Sequence, residues 1–228
     1  MVAPPDTVNQ LFSRAATLAS RRMGTIARDL DIGVPEDFKR HKGWVGQVME
    51  HALGAESGSA AEPDFPHLGV ELKTIPIDES GAPLESTYVC TAPLDGSMST
   101  RWDEAWVRRK LSHVLWVPIQ GSRGIPPGDR RVGTPFLWQP SAEEEALLQD
   151  DWEAFRELIL LGELWQIDAH LGEALQMRPK GADSKSRTWA IDDEGRWVQS
   201  MPMGFYLRTS FTGKLLGTVQ TADSKETS

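Results

Sequence analysis

Residues 69–75, GVELKTI, limit what this chain can fold into more than any other stretch. Val70, Leu72, Thr74 and Ile75 are β-prone and predict a strand, yet Glu71 and Lys73 sit inside it. Alternate residues of a strand share a face, so Glu71 and Lys73 point the same way, roughly 7 Å apart, while Val70 and Leu72 point into a core. Asp64, behind Pro63, lies seven residues before Glu71, a distance that a turn or short hairpin folds back. The spacing D–x6–E–x–K therefore brings two carboxylates and one ammonium together on the outer face of a strand.

The rest of the chain supplies a mixed framework. The first third reads as helical: Asp6 is a candidate N-cap before Leu11, Ala15 and Leu18, and short helices follow at GTIARDL and KGWVGQVMEHAL. Strands are predicted at 69–75, 85–92, 113–120 (HVLWVPIQ) and about 132–138, with a helix at about 103–111. Ser141 and Glu144 form a capping box that opens a long amphipathic helix to about Leu161. Beyond it come a strand at EALQMRP, a polar loop, a hairpin about DDEGRW, a strand at GFYLR and a helix from about Ser210. The expectation is an α/β protein with a central mixed sheet flanked by helices: one unit over 1–220, two subdomains allowed, and a polar, disordered tail at 221–228.

Of 228 residues, 39% are hydrophobic and 25% charged, an ordinary globular composition. The single cysteine, Cys90, excludes an internal disulfide and fits a reducing compartment. The N-terminus has no basic region followed by an apolar run, and no apolar stretch approaches the roughly 20 residues that span a bilayer. The expectation is a soluble, cytoplasmic protein without membrane partners. A net charge of −9 argues against nucleic acid only until the charges are placed. Acid gathers at Glu143, Glu144, Glu145, Asp150, Asp151, Glu153 and Glu157, as a solvated face or a docking surface. Base gathers at Arg108–Lys110, at Arg123, Arg130 and Arg131, and at Arg178, Lys180, Lys185 and Arg187.

Two carboxylates can hold Mg²⁺, a hard ion that keeps positions for water and a phosphate oxygen. A lysine beside them can orient or deprotonate the attacking water and offset charge on the phosphorane. That chemistry is phosphodiester hydrolysis. The alternative is a solvated Glu–Lys pair, because acid–x–Lys recurs at Asp37/Lys39, Asp183/Lys185 and Asp223/Lys225. Nothing else competes: the five histidines show no metal spacing, and no P-loop, G-x-S-x-G or dinucleotide fingerprint is present.

Pro63–Asp64 followed by Glu71–x–Lys73 resembles the PD-(D/E)xK signature of restriction-endonuclease-like folds. KGWVG, DFPHLGVELKTIPID, VRRKLSHVLWVPI, RPKGA and GFYLR, in this order, resemble the MutH family of DNA mismatch repair endonucleases over residues 40–208. The resemblance implies a DNA-binding cleft between two subdomains and Mg²⁺-dependent nicking of the unmethylated strand at hemimethylated GATC in double-stranded DNA. Activation would come from a MutL protein after MutS has found a mismatch. Carried over, Asp64 and Glu71 are metal ligands and Lys73 the catalytic lysine, with Glu50 a further active-site acid and Lys110 a lysine near the scissile phosphate. Read without the family, Glu50 is a solvated glutamate off the apolar stripe of its helix, and Lys110 one more base at a helix end.

The resemblance also assigns base reading to Arg178, Pro179 and Lys180, methyl sensing to Tyr206, and a backbone-phosphate contact to Lys42 and Gly43. Arginine suits the first role because its fork bonds guanine O6 and N7 in the major groove. The plain alternatives are a surface loop and an ordinary strand tyrosine. His41, where an acid is common, and Tyr88, where phenylalanine is usual, depart from the family pattern. One D–x6–E–x–K centre per chain fits a monomer that nicks one strand. A restriction-type enzyme that cuts both strands and a silent DNA-binding module stand as alternatives.

Overall fold

The computed structural model describes residues 2–36, 43–56, 62–181 and 185–226, with side chains described up to residue 218. In chain order the elements are α1 (Val8–Leu18), α2 (Met23–Asp29), α3 (Trp44–Leu53), β1 (Glu71–Ile77), β2 (Thr87–Ala92), α4 (Trp106–Leu111) and β3 (Val114–Gln120). They continue as β4 (Phe136–Trp138), α5 (Ala142–Leu160), β5 (Leu175–Pro179), β6 (Thr188–Ile191), β7 (Trp197–Ser200), β8 (Met203–Leu207) and α6 (Thr209–Glu226). Contacts divide the chain into two compact units. The first comprises Met1–Glu85, Ser112–Gln139 and Gly213–Ser228, and the second Ser86–Leu111 and Pro140–Thr212.

In the first unit β1 pairs in parallel with β3, and β3 in antiparallel with β4. Leu11, Ala15 and Leu18 of α1 join Met23 and Ile26 of α2 and Val48, Met49 and Leu53 of α3 in a core with Phe65, Val70, Leu72, Leu115 and Val117. Parallel strands covered on both faces run apolar without alternation, and β3 is buried from Val114 to Ile119. The N-cap of α1 is Thr7 rather than the expected Asp6. Thr7 is extended and its hydroxyl accepts from the Gln10 N–H at 3.1 Å, three residues on, where an N-cap oxygen must reach.

In the second unit β8 lies between β2 and β5, antiparallel to both, and β6 pairs with β7 as a hairpin turning at Gly195 (φ 77°). The Ser141–Glu144 box is present in both directions: Ser141 Oγ accepts from Glu144 N at 3.2 Å, and Glu144 Oε2 from Ser141 N at 2.8 Å. Leu148, Trp152, Phe155 and Ile159 form the buried stripe of α5, and Phe155 meets Phe205 of β8 edge-to-face at 6.0 Å. Glu143, Asp150, Glu153 and Glu157 are exposed, but Asp151, counted among that acid, is 7% exposed.

Two elements are shorter than expected. The 103–111 helix is a 3-10 turn, Trp102–Glu104, then an extended Ala105, then α4. The 132–138 strand reduces to β4 plus a bridge from Val132 to Ile119, because Pro135 has no N–H to give a ladder. Among the described residues no helix is long and apolar enough to cross a membrane.

Two substitutions test this packing by urea denaturation. Phe155→Ala removes a side chain that is 0% exposed and is expected to cost about 3–5 kcal/mol. Ser141→Ala removes only the capping oxygen and is expected to cost about 1 kcal/mol.

Candidate functional site

The hairpin that returns Asp64 to β1 has a physical basis. Phe65 and Val70 exchange both backbone hydrogen bonds (2.9 and 3.3 Å), and both side chains are wholly buried. Between them Pro66 opens a 3-10 turn, Pro66–Leu68, and Gly69 takes the left-handed conformation (φ 63°) that closes it. Glu71 N–H donates to His113 O on the β3 side at 2.9 Å, so Leu72 N–H faces the other edge of the sheet. Asp64 Oδ2 accepts that Leu72 N–H at 2.9 Å, which holds its carboxylate one residue from Glu71.

Lys73 Nζ donates to Glu71 Oε1 at 2.6 Å. Glu71 is 3% and Lys73 9% exposed, so the face expected to look outward is covered. Side chains in register across β1 and β3 share a face, and Val114 and Trp116 flank Glu71 and Lys73 on it. Trp116 is 1% exposed and stacks on Phe136 at 6.3 Å. Its indole N–H finds no hydrogen-bond partner among the described residues, a donor on this face suited to an anionic or water oxygen. Burial removes the solvated Glu–Lys alternative, since such a pair in water would leave both side chains exposed. Asp64 and Glu71 offer only oxygen donors, a set suited to a hard divalent cation completed by water and substrate oxygens. Among the described residues no three His, Cys, Asp or Glu side chains gather to share an ion.

The other candidates of this unit are placed less closely. Glu50 is exposed on α3, a helix that packs against β1. Lys42 and His41 lie outside the described residues. Gly43 precedes α3, is exposed, and has open space where a Cβ would stand. Lys110 belongs to the second unit, where it is buried (6% exposed) in the last turn of α4.

The second unit brings together Arg178, Lys180 and Tyr206 with a residue not counted as a site, Tyr88. Register sets Tyr206 opposite Tyr88 on β2 and Gln176 on β5, with Arg178 opposite Gly204. The tyrosine rings meet edge-on at 5.3 Å. The Arg178 guanidinium lies 5.7 Å from the Tyr206 ring centre, and Lys180 Nζ lies 4.3 Å from that of Tyr88. Arg178 also donates to Ser86 Oγ at 2.8 Å, while Pro179 ends β5 exposed. Gly204 makes the row possible: a Cβ there would stand 3.0 Å from the Tyr88 ring and 3.4 Å from Lys180 Cβ. Burial pushes the Tyr88 hydroxyl up, and its hydrogen bond with Thr91 (2.9 Å) works the other way.

Sequence reading missed Ser86, Tyr88 and Gly204 as parts of this row. The period of two in STYVC marks Ser86 and Tyr88 as one face, but nothing local says that β8 lies beside it.

The sequence pattern of the family described as "DNA mismatch repair enzyme MutH" matches residues 53–151, which include the hairpin, β1 and β3. The DNA mismatch repair protein MutH of Serratia proteamaculans (strain 568) is 52% identical over 213 residues, covering 93% of each chain. That of Shewanella sp. (strain ANA-3) is 52% identical over 218 residues, 96% of this chain and 98% of its own. That of Haemophilus influenzae (strain PittGG) is 51% identical over 212 residues, 93% and 95%. With such identity along nearly its whole length, the chain belongs to the MutH family of DNA mismatch repair enzymes.

Proposed function

We propose that this protein is a Mg²⁺-dependent endonuclease that nicks the unmethylated strand of hemimethylated GATC sites in mismatch repair, acting as a monomer under a MutL-type activator. The observation that carries the reading is the Glu71–Lys73 pair buried on β1, with Asp64 tied alongside it. A buried ion pair contributes little stability over apolar residues of the same volume, so its presence calls for another use. Asp64 and Glu71 would hold the metal, which when bound acidifies water and polarises the phosphate. Lys73 keeps its ammonium beside Glu71 and meets a non-bridging phosphate oxygen or the attacking water as charge develops. Held on a strand hydrogen-bonded to β3, these groups need little reorganisation at the moment of reaction.

Sequence choice falls to the second unit. Arg178, leaning on Tyr206 and bonded to Ser86, presents a planar fork for guanine, and Lys180 a point charge. Tyr206 offers a ring edge against which an adenine N6 methyl is sensed. Glu50 is a further acid of the metal centre in this reading, Lys110 is a lysine for the scissile phosphate, and Lys42 and Gly43 contact the backbone.

Circular DNA carrying GATC in unmethylated, hemimethylated and fully methylated form, with Mg²⁺ and with or without a MutL-type activator, tests the whole. Nicked circles cut only in the unmethylated strand are expected, with fully methylated DNA intact; linear product without activator would mean a restriction-type enzyme instead. Glu71→Gln keeps the side-chain shape and is expected to abolish cleavage while DNA binding persists in a gel-shift assay, since loss of a carboxylate also removes repulsion of phosphate. Normal cleavage by this variant would place the centre elsewhere. Arg178→Ala is expected to reduce discrimination for GATC by about 1–3 kcal/mol in competition cleavage. Lys73→Met alone strands a buried carboxylate and should cost about 3–5 kcal/mol of stability, much of it recovered in the Glu71→Gln/Lys73→Met double variant.

A further inference from the structure

We propose that Asp151 and Arg208 are positioning residues for base recognition, acting as a two-sided clamp that sets the register of β5 and so the placement of Arg178 and Lys180. The inference deepens the reading above and rests on its assignment of base contacts to those two side chains.

Asp151 sits on the buried side of α5 at 7% exposure, where an ionised carboxylate is costly unless its oxygens are satisfied. Consecutive backbone N–H groups satisfy them. Glu173 N donates to Oδ1 at 2.9 Å and Oδ2 at 3.0 Å, and Ala174 N and Leu175 N each donate to Oδ2 at 2.7 Å. Gly172, left-handed at φ 83°, turns the chain so that these amides converge, and a Cβ there would overlap the Leu175 carbonyl.

The carbonyls of the same segment are taken by Arg208. Its Nη2 donates to Ala169 O at 2.8 Å and Leu171 O at 2.7 Å, its Nε to Leu175 O at 3.2 Å, and its backbone N–H to Ala174 O at 2.8 Å. Arg208 directly follows β8, the strand that carries Tyr206. Donors of 173–175 are therefore fixed to α5, and acceptors of 169–175 to the end of β8.

Leu175 is the first residue of β5, a five-residue edge strand paired only on its β8 side within its three-stranded sheet. Leu175 and Met177 bury one face of β5, and a slip of one residue would turn every side chain to the opposite face, so the bonds at its first residue add to a register that only one neighbouring strand supports. With Leu175 held opposite Leu207, Arg178 faces Gly204 and lies on the Tyr206 side; one step away it would point into the core. The clamp thus acts through the strand on residues three and five positions beyond it.

The test compares the parent with Asp151→Asn, Arg208→Lys and Ile159→Val, the last a core control on the same helix. Readouts are the ratio of cleavage at GATC to cleavage at a site with one base changed, affinity for DNA lacking GATC without Mg²⁺, and Tm. Asparagine keeps the shape but turns an NH2 group toward N–H donors, and lysine keeps the charge but loses the fork. Both variants should lower the ratio about tenfold, the scale of one misplaced bidentate base contact. Affinity for non-site DNA should stay within about twofold, because phosphate contacts carry it. The control should lower Tm without moving the ratio. An unchanged ratio in either folded variant, or an equal fall in the control, overturns the clamp. If Asp151→Asn does not fold, the half-buried Arg208 decides, since its replacement leaves the core intact. A parent without any preference for GATC refutes the functional reading rather than the clamp.

Discussion

A charged pair inside a strand covered on both faces is the constraint around which the first unit is arranged. Glu71 and Lys73 lose most of their hydration in β1, and their mutual hydrogen bond at 2.6 Å offsets part of that cost. Everything nearby holds the pair in one geometry. Hydrogen bonding to β3 fixes the strand, Trp116 and Val114 stand beside the charges, and the buried Phe65–Val70 bridge returns Asp64 to the Leu72 N–H. The apolar core thus acts as the mould for a polar centre, where low dielectric strengthens the interaction between its charges.

The second unit handles polarity in the opposite way. Arg178 and Lys180 of its row are exposed over the half-buried Tyr206 and Tyr88, so the cations lose little hydration and the difficulty is order instead. Long cationic side chains have many rotamers, and stacking on tyrosine rings limits them at small cost. Gly204 provides the room for that stacking, and the strands beneath are anchored by the backbone bonds to Asp151 and Arg208. A carboxylate that reads as one more member of an acidic helix face is, in three dimensions, the anchor of a strand.

Some elements were plain in the sequence because their signals are local. The Ser141–Glu144 box, the alternation in GVELKTI, the apolar run of β3 and the glycine turn between β6 and β7 each depend on residues within a few positions. The errors also have local causes. Asp6 and Thr7 are both good caps, and only the geometry of the first turn chooses between them. The shortened β4 follows from Pro135, whose missing N–H outweighs the strand propensity around it.

The candidate centre was legible for the same reason: Asp64, Glu71 and Lys73 lie within ten residues, so one hairpin and one strand assemble them. The sequence by itself determined which groups meet there, because side-chain alternation and hairpin closure are properties of the backbone. Only the tertiary structure decided that the pair is buried, since its neighbours include Val114 and Trp116 of a strand that begins more than forty residues later. It alone likewise set Tyr88 beside Tyr206 and Asp151 beneath Ala174, contacts between distant segments whose register depends on packing over the whole sheet.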